Sequence, residues 1–496
     1  MKEPIINDIV SQTPQAGGNL IIATLGKRET IPLALLYEMS GRVANGLLAQ
    51  GIKIGDTIGI LSANQLEWVL LDLAALRIKV RIAGFDPGKF EATAMLAKNY
   101  QLKWLFTDKP YDKTNPTLRD IQEINTFLDI HPELLPPIHY ALTETTTIKF
   151  TSGSTGIPKG LAATVGSIDS SLRGVQKIFC HQPGDRLLVF LPLSLLQQRY
   201  WIYSALKYGH DTVLTNYQSV FIIMSQVKPT VVMGVPAFFD AARRHIEQQS
   251  NDINTMILQA KALCGDKIRY LWTGSAPADS ETLRFFHQVG LPIYEGYGMN
   301  ETCIVTKNHP GAHRLGSVGR ALDEKEIIID QDGNVFVHSD YPVNTAYLYA
   351  QPGVSEKVFT RDGYVRTGDI GYLDKDGFLY IKGRADNIIV LDNGKKIDVQ
   401  PIEARLRNEK AIAECVIFSP KQTDLVAVVS PSSIPVDHSA IRAALERVNT
   451  EMEKDEYIAR LIIAEQPFSI ENGLLTSQFK PIRKMIFERY KTQLFS

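Results

Sequence analysis

Ten consecutive residues, Thr151-Ser152-Gly153-Ser154-Thr155-Gly156-Ile157-Pro158-Lys159-Gly160, hold four hydroxyl side chains, three glycines and one lysine. Glycines let backbone N–H groups turn toward one point without steric cost, and hydroxyls and a lysine add donors and positive charge. The chemistry such a run suits is the holding of a polyphosphate. A Walker A loop would need a Ser or Thr after its lysine, to reach Mg²⁺; here Gly160 follows Lys159, so that reading fails. The competing reading is a flexible Gly/Ser linker. Against it stand the apolar stub Ile148-Lys149-Phe150 before the run and a helix-like segment at 167–177 after it.

The rest of the chain must position that loop. With 496 residues it exceeds one compact core and is expected to hold at least two domains. From about residue 40 to 298, short Val/Ile/Leu-rich runs (57–61, 104–107, 186–190, 212–215, 230–234, 268–273) alternate with segments of helical period (65–76, 196–208, 237–248, 280–288). Alternation of this kind implies layered α/β architecture. After Gly311 the pattern changes. Asp332-Gly333 and Asp376-Gly377 each separate β-prone runs (326–329 from 335–338, 364–373 from 378–382), and Asn393-Gly394 separates 388–391 from 395–399. Such dipeptides between β-prone runs signal hairpins, so 311–400 is expected to be mostly antiparallel. The last hundred residues mix strands (414–418, 425–429, 461–464) with helices (439–453, 481–492), as in a small α+β unit.

Composition removes several function classes. A net charge of −1 offers no basic field for nucleic acid. Cys180, Cys264, Cys303 and Cys415 are scattered without metal-ligand spacing, which argues for a reducing, cytoplasmic setting and against a disulfide framework or zinc site. Met1-Lys2-Glu3-Pro4 opens no signal peptide. The most apolar stretches, 68–76 and 187–196, are interrupted by Asp72 and Pro192 and are too short to span a bilayer. Peripheral membrane contact stays open.

The 151–160 run also resembles the phosphate loop of the adenylate-forming family of acyl-CoA synthetases, adenylation domains and luciferases. Further segments match that family in order, from about Leu35 to Lys484. Tyr294-Glu295-Gly296-Tyr297-Gly298-Met299-Asn300-Glu301-Thr302 resembles its aromatic–glycine–threonine–glutamate signature. The resemblance implies that Tyr297 and Gly298 lie against adenine and that Glu301 binds Mg²⁺ bridging ATP phosphates. Asn300 departs from the family's usual Thr. Gly274-Ser275-Ala276-Pro277 resembles the segment lining the adenine face. Arg366-Thr367-Gly368-Asp369 and Lys382-Gly383-Arg384-Ala385-Asp386 resemble the ribose clamp and hinge. They imply Asp369 on the ribose hydroxyls, Arg384 on ribose or α-phosphate, and Asp386 as the pivot. The 391–403 run is similar to the bacterial long-chain fatty-acid–CoA ligases, whose loop, here Gly394, Lys395 and Lys396, enters for the thiol step. Lys480, in 474–484, matches the mobile catalytic lysine. Leu191-Pro192-Leu193-Ser194-Leu195-Leu196-Gln197-Gln198-Arg199 resembles the segment at the carboxylate entrance, with Leu195 and Gln198 where the family has His and Glu. Arg77-Ile78-Lys79 stands where relatives have a glycine-containing turn.

What the resemblance implies is a large N-terminal adenylation domain over 1–384, layered α/β with a β-rich subdomain. A hinge at 385–388 would follow, then a small mobile α+β domain over 389–496. The implied reaction is an ATP-dependent acid–thiol ligation. Lys480, Glu301 and Lys159 would be catalytic, residues 151–156 would hold the phosphates, Mg²⁺ would sit on Glu301, and a fatty acid would pass through acyl-AMP to coenzyme A. Two alternatives stay open: loading of an acyl or aryl acid onto the phosphopantetheine of an acyl carrier protein, and a non-catalytic nucleotide-binding homologue.

Overall fold

The computed structural model describes residues 3–14, 17–130, 135–151, 158–385, 388–393, 395–476 and 479–496. The α/β expectation is met by two large sheets. One has six strands in the order Leu118–Asp120, Trp104–Thr107, Thr57–Leu61, Arg81–Phe85, Thr145–Thr151 and Lys159–Thr164. All its recorded pairings are parallel except the last, where the strands flanking the glycine-rich loop run antiparallel, Thr151 opposite Lys159. The other has nine strands, in the order Arg320–Ala321, Cys303–Lys307, Ile293–Met299, Tyr270–Thr273, Val231–Gly234, Arg186–Val189, Asp211–Leu214, Asn19–Thr24 and Lys27–Pro32. Its centre is parallel and its two margins antiparallel. Thr57–Leu61, Val231–Gly234 and Tyr270–Thr273 are buried at every position, so their unbroken apolar runs have no solvent face to alternate with.

Sequence period located the helices Leu196–Tyr208 and Ser280–Gln288 to the residue. It missed the edge strand Lys27–Pro32, where only Ile31 is buried and charges fill the open edge. It also missed the helices Val220–Val227 and Ile253–Cys264. Helix Leu66–Arg77 packs on Leu33–Ala49, and residues 68–76 are all buried, Asp72 included. At its C-terminus Lys79 adopts φ 51°, the left-handed region glycine favours, which gives the Arg77-Ile78-Lys79 turn a backbone reason for glycine elsewhere. Lys79 is held there by Glu144, 2.8 Å from its Nζ.

Two buried histidines meet the first residues of strands Tyr270–Thr273 and Asp211–Leu214. His181 Nε2 is 2.6 Å from the Tyr270 hydroxyl, His210 Nε2 is 2.9 Å from Ser204 Oγ, and the two rings are 5.6 Å apart. Burial pushes both down from 6.5, His181 to about 3 and His210 to about 4; each is further biased by its neighbours, His181 downward by His210 and His210 upward by the Asp211 carbonyl. A depressed histidine keeps its contribution to stability above its unfolded pKa and loses it as pH falls toward the folded one. The contribution of these two histidines to stability is therefore expected to be level above pH 6.5. Between 6.5 and about 4 it should fall by as much as ~1.4 kcal/mol per pH unit for each histidine. Urea melts across that window check this; the slope should shrink in His210→Gln.

A further sheet takes Lys325–Ile329, Asn334–Ser339, Val365–Leu373 and Leu379–Arg384 in chain order, with Asp332-Gly333 and Asp376-Gly377 at the turns, as the hairpin signals imply. Gly333 and Gly377 both take positive φ there. By compactness the chain divides into two units. The first comprises Met1–Ile328, Phe336–Thr367 and Leu373–Tyr380; the second comprises Ile329–Val335, Gly368–Tyr372 and Ile381–Ser496. The second unit carries its own core on the sheet Ile412–Phe418, Leu425–Pro431 and Ile458–Ile463, packed by Val399–Arg407, His438–Thr450 and Arg483–Phe495.

Candidate active site

In the first unit the site is built around one turn. Strands Ile293–Met299 and Cys303–Lys307 are antiparallel, and their register slips between Tyr297 and Gly298. A Cβ on Gly298 would lie 2.0 Å from the Cys303 carbonyl oxygen, so no other residue fits without moving backbone. Gly298→Ala is accordingly expected to cost about 3 kcal/mol or more by equilibrium unfolding. A cost under ~1 kcal/mol, within what a volume-conserving swap incurs, would mean the turn yields.

Three side chains fasten the turn. The Met299 N–H donates to Thr302 Oγ1 at 3.1 Å, Lys149 Nζ donates to the Asn300 carbonyl at 2.6 Å, and Lys325 Nζ donates to the Thr302 carbonyl at 3.2 Å. Both lysines are buried. The turn leaves Asn300 exposed and Glu301 buried, with Glu301 Oε1 accepting a 2.6 Å hydrogen bond from the Tyr347 hydroxyl. Over the Tyr347 ring, 4.5 Å from its centroid, stands the ammonium of Lys159, the first residue of strand Lys159–Thr164. The structure thus brings Lys159 and Glu301, far apart in sequence, onto one tyrosine.

Beside the turn, Thr273 pairs with Glu295, which carries the following segment Gly274, Ser275, Ala276 alongside the Gly296–Gly298 backbone. A Cβ on Gly274 would come 3.1 Å from the Gly296 carbonyl oxygen, and Ser275 takes φ 71°. Two facing glycines leave bare backbone there, a flat polar wall of the kind a planar ring needs for close approach. Tyr297 sits half-buried on the same strand. Beneath it Lys307 Nζ donates to the Tyr294 carbonyl at 2.7 Å and stacks 3.7 Å from the Trp272 ring centroid. Burial pushes Glu295 up to about 7 and holds Lys307 well below the usual lysine range, each partly offset by the charge of the other.

In the second unit Asp369 is buried and receives Arg384 Nη1 at 3.3 Å on Oδ1. The same guanidinium lies over Gly368, whose φ is 73° and where a Cβ would come within 2.9 Å of Arg384 Nη2. Strand Ile388–Val390 pairs with Lys396–Asp398. Lys395, between them, reaches Glu453 at 3.1 Å and Asp455 at 3.0 Å, contacts that raise its pKa but are exposed and weak. Lys480 lies in a short loop closed by the Thr476 N–H donating to its carbonyl and its own N–H donating to Thr476 Oγ1. That loop is tied down three residues later, where Arg483 pairs with the buried Glu403 at 2.5 Å.

Ser152, Gly153, Ser154, Thr155, Gly156, Asp386 and Gly394 lie outside the described residues; Thr151 and Lys396 enter only as strand residues. At the expected carboxylate entrance, Leu195 precedes helix Leu196–Tyr208 without capping it, and Gln198 is buried with Oε1 lacking a partner among the described residues. Arg199 is engaged structurally: Nη1 bonds Asp72 at 2.8 Å and Nη2 bonds Thr147 at 2.7 Å. Sequence reasoning missed Lys149, Lys325 and Tyr347. Lys149 had a signal, a charge inside an apolar strand stub directly before the loop; Tyr347 and Lys325 had none.

Comparison with known proteins bears on both units. The family described as AMP-binding enzyme matches residues 18–342, and the AMP-binding enzyme C-terminal domain matches 386–495. The long-chain-fatty-acid–CoA ligase FadD15 of Mycobacterium bovis is 26% identical over 541 residues, covering 91% of this chain and 89% of its own. The 2-succinylbenzoate–CoA ligase of Bacillus subtilis is also 26% identical, over 503 residues, covering 93% and 95%. Among solved structures, the O-succinylbenzoate coenzyme A synthetase of Bacillus subtilis in complex with AMP superposes with a TM-score of 0.79 at 23% identity, covering 98% of each chain. That likeness is one of fold.

Proposed function

Because this chain belongs to the AMP-binding enzyme family, we propose that it is an ATP-dependent acid–thiol ligase whose acid is a fatty acid and whose thiol is coenzyme A. The observation that carries this reading is the approach of Lys159 and Glu301 to one tyrosine in the first unit, 4.5 Å and 2.6 Å away. A phosphate-suited lysine and a buried carboxylate at one place are what a magnesium–nucleotide needs.

The donor set fits Mg²⁺ in particular. Among the described residues no cluster of three or more His, Cys, Asp or Glu could cage a metal. Mg²⁺ is commonly held by one or two carboxylates plus phosphate oxygens and water, and Glu301 supplies such a single carboxylate. Bound there, the ion would neutralise charge on the ATP phosphates.

The chemistry follows from the poor leaving group a carboxylate carries. A carboxylate oxygen attacks the α-phosphorus of ATP, the bond to the bridging oxygen breaks, and acyl-AMP and pyrophosphate form. The thiol sulfur then attacks the acyl carbonyl, loses its proton to solvent, and AMP leaves. Lys159 and residues 151–156 hold the β- and γ-phosphates in this reading. Lys480 stabilises charge building on the α-phosphoryl oxygens as attack proceeds. Asp369 accepts from the ribose hydroxyls with Arg384 beside it, Gly274, Ser275, Ala276, Tyr297 and Gly298 bind the adenine side, and Asn300 donates to a phosphoryl or acyl-adenylate oxygen. The division at 385–388 with Asp386 as pivot, and Gly394, Lys395 and Lys396 as the thiol-step loop, belong to the same proposal.

A second reading has an aryl acid in place of the fatty one. Equal identity to a fatty-acid and a succinylbenzoate ligase supports it, as does the buried Gln198 Oε1, without a partner among the described residues, in the segment that resembles the carboxylate entrance. Pyrophosphate release across a panel of fatty and aromatic acids tests both, with CoA and a phosphopantetheinylated carrier protein compared as acceptors. Turnover of fatty acids with CoA supports the first reading and turnover confined to aryl acids the second. Preference for the carrier protein would move the acceptor, and absence of release with every acid would overturn the ligase.

A further inference from the structure

Tyr347 lies outside every motif that carries the proposed function, yet its two ends touch the two charged groups on which that function rests. Its position is set by backbone. The segment around it runs along strand Lys159–Thr164: Thr164 N–H donates to the Val343 carbonyl at 3.1 Å, Asn344 Nδ2 to the Ala162 carbonyl at 2.8 Å, and Gly160 and Leu348 exchange both backbone hydrogen bonds at 3.0 and 2.7 Å. The Tyr347 N–H donates to Ser355 Oγ at 3.0 Å, and Phe359 packs on the ring with centroids 5.1 Å apart. Tyr349, two residues on, donates to the Tyr100 carbonyl at 3.0 Å, and Tyr100 donates to the Pro158 carbonyl at 3.2 Å. A ring held this way, buried and clipped to the strand that starts with Lys159, has little freedom left to spend.

Resting on the reading of Lys159 and Glu301 above, we propose that Tyr347 is a positioning residue that orients the Glu301 carboxylate toward Mg²⁺ while keeping Lys159 from pairing with it. The hydroxyl donates to Glu301 Oε1 and so fixes the plane of the carboxylate, directing Oε2. The ring face takes the Lys159 ammonium at 4.5 Å, an attraction to the quadrupole that does not neutralise the charge. With a tyrosine between them, the two opposite charges do not collapse into an internal ion pair, which would compete with both metal and phosphate.

The two ends of the ring are separable by substitution. Tyr347→Phe keeps the face and removes the hydroxyl; Tyr347→Leu removes both. Mn²⁺ binding to the full-length chain with ATP, followed by electron paramagnetic resonance, is expected to weaken about tenfold in Tyr347→Phe, the loss of one charge-assisted hydrogen bond. Metal-free ATP should bind Tyr347→Phe as it binds the wild type, and Tyr347→Leu more weakly. Glu301→Gln serves as the reference. If Glu301→Gln weakens Mn²⁺–ATP binding while Tyr347→Phe matches the wild type, the role given to Tyr347 is overturned and that of Glu301 stands. If Glu301→Gln itself binds Mn²⁺–ATP normally, the assignment of Glu301 is what falls. A lowered melting temperature in Tyr347→Phe with unchanged metal affinity would make the residue merely structural and also overturns the proposal.

Discussion

Lys480→Ala is expected to lose acyl-AMP formation by on the order of 10²–10³, the scale set by removing one positioned donor from a charge-developing transition state. The same variant should still pass an acyl group from synthetic acyl-AMP to CoA near the wild-type rate. The asymmetry arises because only the first half-reaction builds charge on the α-phosphoryl oxygens; in the second, AMP already carries it. The substitution leaves the contacts that hold the loop in place. Lys480 sits in a loop closed through backbone and Thr476, while the neighbouring anchor is the Arg483–Glu403 pair, which the substitution leaves intact. Pyrophosphate exchange and single-turnover thioester formation, run side by side with a melting curve, read the two halves. Equal loss of both half-reactions in a folded variant, or loss of neither, would show that Lys480 does not divide the reaction.

The second large effect concerns stability. Asp72→Ala should lower it by about 3–5 kcal/mol, because it strips the counter-charge from a buried guanidinium. Arg199 and Asp72 have side chains only 1% and 5% exposed and meet at 2.8 Å. Tyr203 donates to the other Asp72 oxygen at 2.5 Å, and the Trp68 ring centroid lies 5.2 Å from the guanidinium carbon. Burial opposes the Arg199 charge, but Asp72 and then Tyr203 outweigh it and hold the pKa above the ordinary value; without Asp72 that support is gone, yet a guanidinium keeps its proton in a protein, so an uncompensated buried cation is left. Replacing both, Asp72→Leu with Arg199→Met, should recover most of the loss, since the desolvation of both charges disappears together. Denaturant melts of the two variants check this. A small loss for Asp72→Ala, or a double variant as unstable as the single, would mean the pair is not a closed buried unit.

That pair also shows where reading in one dimension stops. Asp72 interrupts an apolar run, and by sequence its visible consequence was to make that run unfit for a bilayer; Arg199 closes a segment resembling a carboxylate entrance. They meet only because helices Leu66–Arg77 and Leu196–Tyr208 are brought together by the fold. Likewise, the tyrosine joining Lys159 to Glu301 lies in a loop-like stretch with no period and no motif, and its neighbours in space come from strand Lys159–Thr164.

The sequence by itself determined the alternation that builds two parallel-centred sheets, because fully buried strands leave a continuous apolar signature and helices a periodic one. It also determined the Asp-Gly turns and the ordered set of short motifs, since the demands of a positive φ or a close backbone approach fall on single residues such as Gly298 and Gly368. Tertiary structure alone decided which charges answer one another. Lys149 and Lys325 bracing one turn, Tyr347 standing between Lys159 and Glu301, and Arg199 closed on Asp72 are each contacts across dozens to hundreds of residues. Local propensity carries no term for such contacts, because their energy exists only once burial has removed the water that would otherwise separate the partners.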